Sequence, residues 1–197
     1  MIVEKNSNYD FLLHIPGVEE TEANNLQATE VDLVIFHQSP DKRGRTRDLF
    51  QRFVNSKVSL FIISGSQTDL NQLAKSNMPL KFDQPPRQLD DVMPVINPTF
   101  SSFIISAEVN TVFSGFPPVW VPFGKMQVPA SAVPLLFQRV GNLTTDKPLL
   151  WINTTENQKI AFMLGDGFWQ WRLHEYSKSE NTEAFDEVFG KLIQYLS

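Results

Sequence analysis

The sequence predicts an α/β domain: a mostly parallel sheet with helices on both faces and antiparallel strands toward the C-terminus. Three observations predict it. The runs Val31 to Phe36 and Val58 to Ile63 are almost continuously apolar, as strands buried on both faces of a parallel sheet must be. Each is followed by apolar residues at helical spacing, first Leu49, Phe50, Phe53 and Val54, then Leu70, Leu73 and Ala74. Beyond Val133 the chain returns to short apolar runs joined by a tight polar turn, the pattern of antiparallel neighbours.

Each element has a local reason. Met1 to Asp10 reads as the tail of a helix, since Ile2, Val3 and Glu4 give way to the polar Lys5-Asn6-Ser7-Asn8. The apolar Phe11-Leu12-Leu13-His14-Ile15 then reads as a strand. A strand before that helix would be missing, so residues 1–197 are expected to form one domain cut from a larger protein. Gln38 to Arg43 is a loop, Arg45 to Asn55 a helix, and Ser64-Gly65-Ser66 closes the strand that ends at Ile63. From Met78 to Pro134 prolines crowd the chain. Proline donates no ladder hydrogen bond, so loops, edge strands and hairpins are expected there, with a two-turn helix only at Ala107 to Phe113.

Val133 to Val140, Leu149 to Asn153 and Ile160 to Leu164 read as strands, the last two joined by the turn Thr154 to Lys159. The chain closes on an amphipathic helix carrying Ala184, Phe185, Val188, Phe189, Leu192, Ile193 and Leu196, with Asn181 or Thr182 as its N-cap.

Composition excludes several classes of function. The 197 residues are 42% hydrophobic and 20% charged, ordinary for a folded domain. A formal charge of -5 argues against nucleic acid as a partner, because duplex binding needs a positive surface. No apolar run approaches the roughly 18 residues of a bilayer span, and none is laid out as a secretory signal. Any membrane tether is therefore expected outside these residues. The absence of cysteine removes disulfides, thiolate metal sites and cysteine nucleophiles. No cofactor is implied.

The best-defined motif is Gly165-Asp166-Gly167-Phe168-Trp169-Gln170-Trp171-Arg172. The glycines permit a tight turn after a strand, and Asp166 can cap the helix that follows. Trp169 and Arg172 lie three apart and could stack. Two readings are open: the aromatics anchor the helix on the sheet, or Trp169, Trp171 and Arg172 face a carbohydrate or peptide.

Strand, this motif, then a Phe-rich terminal helix resembles class I glutamine-amidotransferase-like domains of bacterial membrane-anchored proteins with von Willebrand factor A-type regions, as in Bacteroidetes. Val31 to His37 and Val58 to Gly65 look like core strands of the same domain. The resemblance implies a flavodoxin-like three-layer sandwich and a parent associated with the cell envelope. It does not imply an activity. The family releases ammonia from glutamine with a cysteine on a strand-to-helix elbow and a downstream His-x-Glu pair. Here the elbow is Ser64-Gly65-Ser66-Gln67, and His174 is followed directly by Glu175. Both signatures are absent.

Ser66, Asp166 and His174 stand in the chain order of an α/β-hydrolase triad, which makes a serine hydrolase using Ser66 the alternative. Against it, Ser64 and Thr68 occupy the glycine positions of the Gly-x-Ser-x-Gly elbow. His14 and His37 end apolar runs without metal-ligand spacing, and no metal site is expected. The basic cluster Asp41 to Arg47 is either a solvated first turn or an anion site. The apolar Phe116 to Phe123 either covers a sheet edge or presents Trp120 and Phe123 to a protein partner or to other domains of the parent. The leading expectation is a non-catalytic interaction or structural domain.

Overall fold

The structure is a computed structural model. It describes residues 27–197 except 77, 84, 85, 87 and 157, together with the backbone of the strands Val3–Lys5 (β1) and Asn8–Asp10 (β2). These two pair antiparallel, Glu4 opposite Tyr9, where the sequence suggested the tail of a helix. The expected strand at Phe11 to Ile15, with His14, lies outside the described residues.

The aliphatic runs form Leu33–His37 (β3) and Ser59–Ile63 (β4). Between them lies the helix Arg47–Val54 (α1), and after β4 the short helix Leu70–Lys75 (α2). The two strands pair in parallel, and Lys159–Met163 (β11) lies parallel on the far side of β4. Leu143–Thr154 (β10), Ala132–Val140 (β9), Leu89–Ile96 (β6) and Val119–Pro122 (β7) complete a seven-stranded sheet in the order β3-β4-β11-β10-β9-β6-β7. Lys81–Phe82 (β5) and Met126–Gln127 (β8) form a separate antiparallel pair.

The fold is α/β with a mixed sheet, and its parallel part is smaller than the sequence suggested. Only β3–β4 and β4–β11 are parallel; the four other pairings are antiparallel. The antiparallel part is enlarged by β6 and β7, which lie in the proline-rich stretch where loops, edge strands and hairpins were expected. Pro94 lies where β6 has β9 as its one ladder neighbour, because residues 89–92 pair with β7 and 93–96 with β9. Pro148 sits at register shifts of the β9–β10 ladder, and Pro134 pairs with Trp151 next to one. Prolines are thus placed at an edge or an irregularity, where a missing N–H costs least, and the strands survive.

Helices cover both faces. Phe36 of β3 meets Phe50 and Phe53 of α1 edge-on, with ring centroids 5.0 and 6.2 Å apart. Phe36 shares its face with Ile62 and Phe162 through the register. Lys159, three residues before Phe162, points to the other face. There its ammonium donates to the carbonyl of Tyr195, in the last turn of the helix Glu183–Leu196 (α5). Val188, Phe189, Leu192 and Leu196 of α5 are buried, at roughly 1.5–3 kcal/mol each.

Alongside α5 run Ala107–Ser114 (α3) and Trp169–Ser179 (α4). Glu187 of α5 accepts from the amide and hydroxyl of Ser106 at the start of α3. Burial raises its pKa, but hydrogen bonds from Lys191 and Ser106 outweigh that and bring it from 4.5 to about 2. Because the folded value is depressed, this link stabilises the domain above the ordinary pKa and is lost as pH falls through about 2.

Candidate functional site

Two of the three parallel strands, β4 and β11, end at a cleft of about 470 Å³. In open α/β sheets this is where ligands bind, because the loops beyond the carboxyl ends diverge and leave a crevice. The turn after β4 supplies Ser64, Gly65, Ser66 and Thr68; the turn after β11 supplies Gly165 and Asp166. Lys42, Asp69 and Asn71 add polar groups, while Leu89, Trp120 and Pro122 form an apolar wall.

The floor of the cleft is knitted by its own hydrogen bonds. Buried Ser64 donates its hydroxyl to the Met163 carbonyl at 3.3 Å and accepts from the Gly165 amide at 3.0 Å, tying the ends of β4 and β11 together. Thr68 Oγ1 accepts from the Gly65 amide at 2.9 Å. The Asp166 carboxylate accepts from the Ser66 amide at 3.0 Å. Gln38 Oε1 accepts from the Gln67 amide at 2.9 Å and, at a long 3.4 Å, from the Ser66 hydroxyl. The Gln67 N–H fixes which end of the Gln38 side chain is oxygen, so the serine hydroxyl faces an acceptor that cannot act as a base. Lys42 reaches across to the Ser66 carbonyl at 2.6 Å.

Gly165 is required by this geometry. Its φ is +123°, and a Cβ there would lie 3.0 Å from Val121 Cγ1 and 3.1 Å from the Trp120 carbonyl. That close approach lets β7 fold back onto the end of β11: the Trp120 amide donates to the Asp166 carbonyl at 3.0 Å, and the Asp166 amide returns the bond at 2.9 Å.

The residues singled out in the sequence divide. Ser66 and Asp166 come together, but through the serine amide. The Asp166 side chain does not cap α4, whose N-cap is Phe168. His174 lies on α4 away from the cleft lining, its ring edge-on to Phe116 at 6.3 Å between centroids. Trp171 is fully buried and Trp169 is 54% exposed. Arg172 pairs with Asp186 of α5 at 2.9 and 3.3 Å.

Phe116, Val119 and Val121 are buried, whereas Trp120 and Phe123 face outward. The basic cluster carries its own anion: the Asp41 carboxylate accepts from the Thr46 amide and hydroxyl and from the Arg43 amide. Burial raises the Asp41 pKa, but these hydrogen bonds outweigh it and leave the group below its ordinary value. His37 is exposed at the end of β3, and among the described residues no group of three metal-ligating side chains is placed to hold an ion.

No family model and no curated protein matches the chain. Among solved structures it is similar in shape to the cytoplasmic protein STM1381 from Salmonella typhimurium LT2, with a TM-score of 0.48 and 12% identity over 97% of this chain and 94% of that one. The cytoplasmic protein STM3548 from Salmonella typhimurium gives a TM-score of 0.43 and 14% identity over 95% and 92% of the two chains. A β-galactosidase from Bacillus circulans sp. alkalophilus gives 0.33 and 10%, over 68% of this chain and 19% of that one.

Asn71 and Leu89 line the cleft and were not singled out in the sequence; Lys42 lines it and comes from the basic cluster, while Gln38, outside the lining, holds the turn at Ser66 and Gln67. Gln38 carries a faint signal, a residue just past a buried strand and before Ser39-Pro40, where a turn is due. Its φ of +55° turns the chain there.

Proposed function

We propose that this chain is a non-catalytic binding domain of a larger, envelope-associated bacterial protein, with an amidotransferase-like sheet whose strand-end cleft holds a ligand or partner without converting it. One observation carries the reading: the polar groups around Ser66 hold the elbow, and none of them is placed as a base for its hydroxyl. The Ser66 hydroxyl faces an amide oxygen, and the Asp166 carboxylate takes the Ser66 amide. A serine nucleophile needs a base within hydrogen-bond reach, itself oriented by a third group. The motif Gly165 to Arg172 followed by the Phe-rich helix supports the amidotransferase-like reading of the sheet, and the absence of cysteine supports the non-catalytic one.

A fluorophosphonate probe, which labels activated serines, tests this. The wild-type protein is expected to label no more than Ser66→Ala under the same conditions. Strong labelling of wild type that disappears in Ser66→Ala overturns the reading and restores the hydrolase alternative.

A further inference from the structure

The cleft has two unlike walls. On one side Leu89 pairs with Pro122, and Asp91 with Trp120, in the β6–β7 ladder, so these four share its outward face. Their neighbours Val92, Val119 and Val121 are buried. Trp120 is 48% exposed and Leu89 57%, both lining the cleft. The Trp120 main chain is fixed by two bonds to Asp166, and the indole lies beside Gly167, where a Cβ would come 3.6 Å from Cε3 and Cζ3. Such an aromatic offers a rigid apolar plate at little entropic cost.

Opposite stand donors and acceptors in mixture. Lys42, Asn71 and Gln88 can donate; Ser66, Asp69 and Asp166 can accept. One lysine against two aspartates leaves the lining slightly negative, which disfavours a phosphate or a carboxylate ligand. At about 470 Å³ the cleft has the volume of a small-molecule site.

A ligand that suits this lining has one flat C–H face, hydroxyls that both donate and accept, and no net charge. We propose that the cleft binds a neutral saccharide, with Trp120 as the plate for one sugar ring and Asn71, Gln88 and Asp166 as the groups that read its hydroxyls. The inference rests on the non-catalytic binding reading and moves the sugar-contacting aromatic from Trp169 and Trp171 to Trp120.

Calorimetric titration of the whole chain with neutral trisaccharides (cellotriose, maltotriose and chitotriose) tests it, with inorganic phosphate and a sulfated trisaccharide as anionic contrasts. At least one neutral sugar is expected to bind. Trp120→Ala then weakens it about tenfold or more, Asn71→Ala weakens it less, and Trp169→Ala leaves it unchanged. Circular dichroism of each variant checks that the fold is kept. Failure of all three neutral sugars at millimolar concentration overturns the inference, as does binding that survives Trp120→Ala, or a preference for the anions. If Ser66 stays inert to the fluorophosphonate in that case, the non-catalytic reading stands without the sugar; if Ser66 labels, that reading falls whatever binds.

Discussion

Replacing Trp171 by alanine is expected to lower the stability of this domain by about 4 kcal/mol, the typical cost of emptying a buried aromatic site. Trp171 has no solvent exposure. It stacks on Phe116 at 5.7 Å and 15° and meets Phe113 edge-on at 6.0 Å. Phe168 and Phe189 close the remaining sides. Its indole N–H donates to the Pro117 carbonyl at 2.8 Å, which joins α4 to the segment leading into β7. Truncation leaves a cavity and takes the donor from that carbonyl. Trp171→Phe keeps most of the volume and loses the N–H, so about half the effect is expected. Urea unfolding reads both as a lower midpoint at unchanged slope. A loss under about 1 kcal/mol for Trp171→Ala contradicts the packing described for this layer.

Glu175→Ala is expected to cost about 3 kcal/mol, for a different reason. Glu175 is only 4% exposed, yet carries a carboxylate. Its two oxygens accept from the amides of Ala184 and Phe185, at 2.8 and 2.9 Å. These amides open α5, where no carbonyl of the preceding turn can satisfy them and a negative charge suits the helix dipole. The N-cap Thr182 makes no side-chain cap bond, so a residue on α4 does the capping. Glu175→Gln keeps one acceptor and is expected to lose about half as much. Amide exchange at Ala184 and Phe185 should accelerate in Glu175→Ala while exchange in β4 and β11 follows only the global loss. Unchanged exchange at those two amides contradicts the cap.

Part of this architecture is legible in the chain. The strands β4 and β11 and the helix α5 announce themselves because burial on both faces, or along one stripe, imposes a pattern that needs no partner to be read. The run of β3 reads as equally apolar, but β3 is an edge strand and its Ile35 is 45% exposed, so the expected burial on both faces does not hold there. Thr182 holds the N-cap position of α5, one of the two the sequence offered, although the amides of Ala184 and Phe185 are capped by Glu175. The strands β6 and β7 hide because proline argues against a ladder, and only the pairing scheme shows that Pro94 has one neighbour to satisfy.

The cleft hides for a related reason. Asp166 finds the Ser66 amide 100 residues away, and Gln38 reaches Gln67 across 29. Such contacts leave no local trace, so chain order suggested a triad with His174, whereas the fold sets His174 against Phe116. Trp120 was visible as an apolar residue in excess, but its outward direction comes from alternation along a strand that the sequence concealed.

The account turns on how the Ser66 amide is used, and hydrogen exchange at that one amide, followed by NMR, tests it most directly. If the Asp166 carboxylate holds it, the amide exchanges slowly in wild type and at least about tenfold faster in Asp166→Ala, with the His174 ring signals unmoved. Equal exchange in the two proteins, with His174 signals that shift on loss of Asp166, would mean that the carboxylate serves the histidine instead.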